Sequence, residues 1–416
     1  MQSPELTSNL LENDNKLSFS LKNIHFSTAN ALRRTILSDI PVYGIRTETE
    51  ELNQCRIEIN TSRLHNEIIK QRLSCIPVHQ VTTKPGTRPS PIRNWREPWD
   101  EDSMTPIVDS GFLRYELEVD KKNEGENEIV WVTTEDFKLR NKDTNEYMPK
   151  EEVNKIFPPD QVTRRYIDFL RLLPGVGKTI PGEHIKLKAD FSVCTAKENG
   201  MFNAATICTY HNTIDTIKRD EAWDAYVREH SKEFEGKPEE LNFEKENFKQ
   251  LQGQRYFVSN EKGEPIEFSF VVQSNGIYES TELVQIACQV LVDKFRALIT
   301  YCDSDLLQII PSDSIRLSGV YLSVTESSIP FSYDIVLENE DYTVGCVLEH
   351  IMYELFYEGE KTLSFIGFKK YHPHDTYSIL RVAYKSDVHV LARKTHIQKA
   401  LDIAAKIFES IGKKSV

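Results

Sequence analysis

The sequence lacks most of the features that mark catalytic, membrane-spanning or secreted chains. Its seven cysteines, at 55, 75, 194, 208, 288, 302 and 346, include no Cys-x-x-Cys pair and are odd in number. Neither a zinc ribbon nor a closed disulfide framework is expected, and a reducing, intracellular compartment fits that usage. No apolar run reaches membrane-spanning length. The opening Met-Gln-Ser-Pro-Glu-Leu has neither the basic region nor the apolar block of a secretory signal. Basic side chains are outnumbered 51 to 64, for a net charge of −13. That excludes a broad nucleic-acid-coating surface, whose affinity comes from neutralising phosphates, though not a local basic patch. The carboxylates are scattered, and no pair recurs beside a His or Ser as nucleophile and base.

Three short motifs imitate sites without completing them. Gly175-Val-Gly-Lys-Thr179 resembles the end of a phosphate-binding loop, but the required upstream glycine is Leu172, and Pro174 interrupts the row of N–H donors. It reads as a Gly/Pro turn. His372-Pro-His374 has no further ligand at metal spacing and reads as a surface loop. Asn60-Thr-Ser62 matches a glycosylation acceptor but follows no signal peptide.

What the chain does have is a repeated unit. Phe26 to Pro41 predicts a helix, with Ser27 or Thr28 as cap, Pro41 as stop, and Ala29, Leu32, Ile36 and Ile40 on one face. Leu21–Leu32 aligns without gaps on Leu337–Leu348. Both copies read as an alternating strand, a polar loop with Asn at its third position, an aromatic, a hydroxyl residue and an apolar helix. Two related domains are expected to pack together, with the helices at 29–40 and 344–355 approaching each other.

A length of 416 residues implies two or three domains. Leu17, Phe19 and Leu21 alternate as a strand should. Strands are expected at 42–51 and 55–60, with Ile57 and Ile59 on one face. A helix is expected over 63–75, carrying Leu64, Glu67, Ile68 and Leu73. Residues 81–108, with Lys84-Pro-Gly and Trp95-Arg-Glu-Pro-Trp99, are loop chemistry, and 183–195 is the clearest downstream strand. Residues 216–252 read as charged, exposed helices broken near Gly236-Lys-Pro238. After a strand at 266–272, a long helix buries Leu283, Val284, Ala287, Val290, Leu291, Phe295 and Leu298. The final helix carries Ile397, Ala400, Leu401, Ala404, Ile407, Phe408 and Ile411. The expected division is a first domain over 15–80 and 255–300, an insertion over 81–254, a linker over 301–328 with some strand tendency at Ile315–Val324, and a second domain over 329–416.

Several of these residues carry a family resemblance. Ala29-Asn-Ala-Leu-Arg-Arg34 with Asp39-Ile-Pro41, and Leu64-His-Asn-Glu67 with Arg72-Leu-Ser-Cys-Ile-Pro77, resemble the alpha-type platform subunits of multisubunit RNA polymerases. That group includes bacterial alpha, its D-like archaeal counterpart and the third-largest subunit of eukaryotic RNA polymerase II. Gly182–Leu187 with Ala196–Gly200 is similar to their inserted domain. Glu338–Gly345, Gly367–Pro373 and Leu380-Arg-Val382 resemble the small partner, which is L-like in archaea and the eleventh subunit in RNA polymerase II. Both partners in one chain look like the fused subunit of large nucleocytoplasmic DNA viruses, which would place it in host cytoplasm and virion.

The resemblance implies an α+β fold, with two alpha-like dimerisation domains forming an internal pseudo-dimer rather than a homodimer, plus a mostly β insertion. It implies a dimerisation interface of Ala29, Leu32, Ile36, Leu37, Thr343, Val344, Leu348, Ile351 and Leu355. It implies contact with a large subunit through Asn30, Arg33, Arg34, Glu67, Arg72, Ile76 and Pro77. The partners would be two large catalytic subunits and small assembly subunits, with DNA and RNA met only indirectly. No catalytic residue, metal or cofactor is expected on this chain; magnesium and zinc belong to other subunits. Two departures stand out. The expected insertion has only Cys194 and Cys208 where some relatives hold a zinc or iron–sulfur site. Cys346 also replaces the Asn that the first copy keeps as Asn30. A stand-alone α+β small-molecule enzyme, such as a transferase, would need the Gly-rich loop or acid/base pair that is missing. A scaffold unrelated to transcription is distinguished by what co-purifies.

Overall fold

The computed structural model describes residues 3–6, 11–13, 16–79, 111–177, 179–231, 234, 237–303, 309–310, 320–324 and 329–414. The loop chemistry expected across 81–108 lies outside them. The fold is α+β and divides into two compact units, one of residues 1–36, 207–273 and 280–416, the other of 37–206 and 274–279.

The first unit contains both copies of the repeat. Its first sheet runs in the order Glu5–Leu6, Lys16–Lys22, Glu267–Ser274, Ala205–Asn212, with Leu11–Asn13 also pairing to Lys16–Lys22. The alternation read at Leu17, Phe19 and Leu21 faces inward. Opposite them stand Val272, Phe270 and Phe268, and Phe19 stacks on Phe270 at 5.0 Å. Such cross-strand pairs hold an antiparallel ladder in register. The second sheet runs Ile309–Ile310, Val320–Val324, Ser332–Glu338, Tyr377–Tyr384, Leu363–Lys369.

The two halves share one plan. A strand (16–22 or 332–338) leads into a helix (Phe26–Ser38 or Tyr342–Met352) and pairs with a later strand (267–274 or 377–384). That later strand carries an edge strand on its far side (205–212 or 363–369) and is followed by a long helix (Ser280–Asp303 or Val390–Lys414). The Asn common to both loops has a physical reason. Asn23 and Asn339 sit at φ 61° and 57°, in the left-handed region that Asn tolerates and β-branched residues do not. Replacing Asn23 by Val is expected to cost about 1–2 kcal/mol, whereas Gly should be nearly neutral; urea denaturation of the two variants checks this.

The strand tendency within the 301–328 connection is realised at Val320–Val324, which pairs with Ser332–Glu338. The structure corrects three readings in this unit. The charged helices, Thr216–Glu229 and Pro238–Leu251, lie between two strands of the first sheet and belong to this unit, not to an insertion ending at 254. They meet through Trp223 and Tyr226 on one and Phe248 on the other; Trp223 and Phe248 are buried, with rings 5.4 Å apart. The opening helix is capped neither by Ser27 nor by Thr28, which lie buried within its first turn; His25 is the residue before it. Finally, the apolar face starting at Val344 does not continue to Leu355. The chain forms a π-turn over Tyr353–Gly359. Its wider spacing moves the buried position one residue on, to Phe356, and leaves Leu355 half-buried.

The second unit starts at 37 rather than 81 and ends at 206 rather than 254. Strand pairing explains the shift. Cys55–Asn60 joins His184–Asp190, Tyr115–Lys122 and Lys138–Asn141 in one sheet, and Val42–Gly44 pairs with Ser192–Cys194. The strand expected over 183–195 therefore breaks at Phe191 to serve two sheets, and the one expected over 42–51 stops at Gly44. The second helix is Asn66–Ser74, shorter than 63–75. Starting there it buries Ile69, Leu73 and, just beyond its end, Ile76 against Leu117, Val119, Ile185 and Leu187. Ile68 and Ile59 are exposed instead. Cys194 is buried in this unit and Cys208 in the other, so the two do not share a domain.

Candidate interface between the two halves

Within the first unit, the helices that open each half meet. Ala29, Leu32, Ile36, Thr343, Val344, Leu348 and Ile351 are buried there; Leu37, the first residue of the other unit, is half-buried. Arg34 is the polar link. Its Nη2 donates to Asp341 Oδ2 at 2.7 Å and its Nε to Thr343 Oγ1 at 2.9 Å. Asp341 also caps its own helix, accepting from the Thr343 N–H at 2.8 Å. Nearby, the His25 and His350 rings stack at 3.6 Å, inclined by 6°.

These two contacts are one contact made twice. The alignment that pairs Leu21 with Leu337 pairs His25 with Asp341 and, carried down the helix, Arg34 with His350. Arg34 touches Asp341, and the counterpart of Arg34 touches the counterpart of Asp341. That reciprocity defines an isologous, two-fold-like interface.

The long helices also pack on each other, with Cys288 beside Gly412 and Arg296 paired to Glu409. Phe295 and Phe408 stack at the same contact, centroids 5.9 Å apart. Lys294, almost fully buried, reaches Glu340 at 3.8 Å.

The remaining predicted residues are placed as follows. Arg33 is half-buried and donates twice to Asn30 Oδ1, at 3.1 and 2.8 Å. Arg34, expected to face a large subunit, is held by Asp341 and Thr343 of its own chain. Glu67 and Arg72 are exposed on the 66–74 helix. Glu67 opens on a cleft of about 660 Å³ with Glu48, Glu50 and Lys70, and Arg72 donates to the Asp168 carbonyl at 2.9 Å. Ile76, also expected at the large-subunit surface, is core; Pro77 is half-buried. Cys346 is half-buried, its thiol pushed up to about 11 chiefly by burial, and it does not reproduce the polar partner that Asn30 gives Arg33. His25, Asp341, His350, Lys294 and Glu340 were not singled out from sequence. Extending the ungapped alignment by a few residues would have paired four positions of the polar contact.

A family model described as the RNA polymerase Rpb3/Rpb11 dimerisation domain matches residues 18–295. A DNA-directed RNA polymerase subunit Rpo3 of Pyrococcus furiosus is 38% identical over 69 residues, covering 17% of this chain and 24% of that protein. Subunit 3B of DNA-directed RNA polymerases IV and V of Arabidopsis thaliana is 40% identical over 65 residues, covering 16% of this chain and 18% of that protein. The chain thus spans about a quarter or less of the length of these relatives.

Proposed function

The chain belongs to the family of the RNA polymerase Rpb3/Rpb11 dimerisation domain, and from that premise we propose that it is a non-catalytic assembly subunit of a DNA-directed RNA polymerase. Its two halves act as the two partners of an alpha-like pair joined in one polypeptide, so the platform forms within the chain rather than by homodimerisation. The platform holds the two large catalytic subunits, with small assembly subunits beside them. Magnesium, zinc and nucleic-acid chemistry reside on those subunits. A source among large nucleocytoplasmic DNA viruses, with location in host cytoplasm and virion, fits the fused arrangement.

The observation that carries this reading is the reciprocal contact of Arg34 with Asp341 and of His25 with His350. A generic scaffold has no reason to place aligned residues of an internal repeat in a two-fold relation. Dimerisation domains do.

Arg33 is the sharper probe of large-subunit capture, because Arg34 is occupied internally. Arg33→Ala is expected to leave the fold intact, as changes away from core, caps and networks usually stay within about 0.5 kcal/mol. It is expected to weaken capture of the large subunits, since truncating one member of a buried interfacial charge pair typically costs about 2–5 kcal/mol. Pull-down with circular dichroism as folding control is the measurement. Equal capture by both chains would remove Arg33 from the contact. Glu67→Ala and Arg72→Ala test the other unit separately.

A further inference from the structure

The two arms of the reciprocal contact differ chemically. One is an ion pair, Arg34 to Asp341, and the other is a stack of two imidazoles. His25 also does at its helix what Asp341 does at the equivalent one. The His25 carbonyl accepts the first helical bonds, from the N–H groups of Thr28 and Ala29 at 3.0 and 3.2 Å. Its Nδ1 accepts from the Ser27 N–H at 3.3 Å and lies 2.8 Å from Ser27 Oγ. A backbone N–H can point only at an acceptor, so Nδ1 carries no proton in this arrangement.

We propose that the His25–His350 pair is a proton-operated latch between the halves: closed with neutral rings, and opened when either ring takes up a proton. Three consequences of protonation act together. Nδ1 of His25 changes from acceptor to donor and can no longer cap the helix. A cation is placed at a helix N-terminus, where the backbone dipole repels it. Two parallel rings at 3.6 Å cannot both be charged without strong repulsion.

The surroundings agree in direction. Burial, and then the neighbouring His350, lower the His25 pKa to about 3. Burial also lowers that of His350, opposed by the carboxylates of Glu354, on the following π-turn, and Glu264, on the turn at 260–264. Lys262, on that same turn, is turned to Glu358 at 3.6 Å. Both histidines thus have folded-state values below the unfolded one near 6.5. The stability they contribute is complete above about pH 6.5 and is lost as pH falls from there towards 3. Each extra proton bound by the open form raises the opening constant by up to about tenfold per pH unit.

The test is hydrogen exchange of the full chain at pH 7.5 and 5.0, corrected for intrinsic rates. Amides of the 26–38 and 342–352 helices are read against the 184–190 strand. The proposal expects both helices to lose protection at pH 5.0 while the reference strand keeps its own. The double variant His25→Asp with His350→Arg copies the other arm by symmetry and should hold both helices at both pH values. His350→Arg alone places a permanent cation beside His25 and should expose the opening helix even at pH 7.5. The same acid loss in the double variant as in wild type would overturn the latch. Should that variant not fold, isotope-labelled histidine spectra of the native chain decide. Ordinary titration of His25 and His350 near pH 6.5 with unchanged protection refutes the latch; titration only as protection is lost supports it. Neither readout depends on capture of large subunits, so this inference and the proposed function can fail separately.

Discussion

Replacing Phe408 by Ala is expected to destabilise the first unit by about 3–5 kcal/mol, the usual cost of deleting a fully buried aromatic side chain. Phe408 is completely buried, and its ring stacks on Phe295 where the two long helices cross. The change therefore empties the seam between the halves as well as one half's core. Hydrogen exchange along 280–303 and 390–414 should rise together, because each helix loses the same packing partner. A single urea midpoint shifted by less than about 1 kcal/mol, with exchange raised only on the last helix, would mean that the seam is not a shared core.

A second large effect is expected at Glu340. Its side chain faces Lys294, and both are largely removed from solvent, at 14% and 8% exposure. Removing one member of a buried ion pair deprives the other of that attraction, which typically costs up to about 3–5 kcal/mol. Because the ions stand 3.8 Å apart rather than in direct contact, Glu340→Gln is expected near the lower end of that range. Replacing both, Lys294→Met with Glu340→Leu, should recover most of the loss, since a well-packed apolar pair often matches a buried ion pair. A double-mutant cycle from urea denaturation measures the coupling. Additive single effects would show that the two charges do not communicate.

Periodicity carried much of the fold. Alternation at Leu17, Phe19 and Leu21 placed one strand, and the stripe from Leu283 to Leu298 placed a helix that the structure buries on that face. Where periodicity failed, a local event intervened. The π-turn after Met352 shifted the buried position from Leu355 to Phe356. The strand at 183–195 changed partners at Phe191. The early unit boundary was hidden because pairing of Cys55–Asn60 with His184–Asp190 joins segments far apart in sequence, and no local pattern encodes that choice.

The contact between the halves was legible only in part. The aligned loops pointed to it, and Asn23 and Asn339 show why those loops match. Its polar chemistry was hidden because the two copies solve the same position with different side chains, His25 against Asp341 and Arg34 against His350. A comparison by residue identity passes over such pairs. Position in the repeat finds them.

The proposed role as the assembly platform of an RNA polymerase is tested by purifying the tagged chain at its native level, identifying everything held stoichiometrically and assaying template-dependent RNA synthesis. Two large polymerase subunits and RNA synthesis are expected in the purified assembly, and no nucleotide turnover by the chain alone with metal. Recovery of the chain without large polymerase subunits, or turnover by the isolated chain, would contradict it.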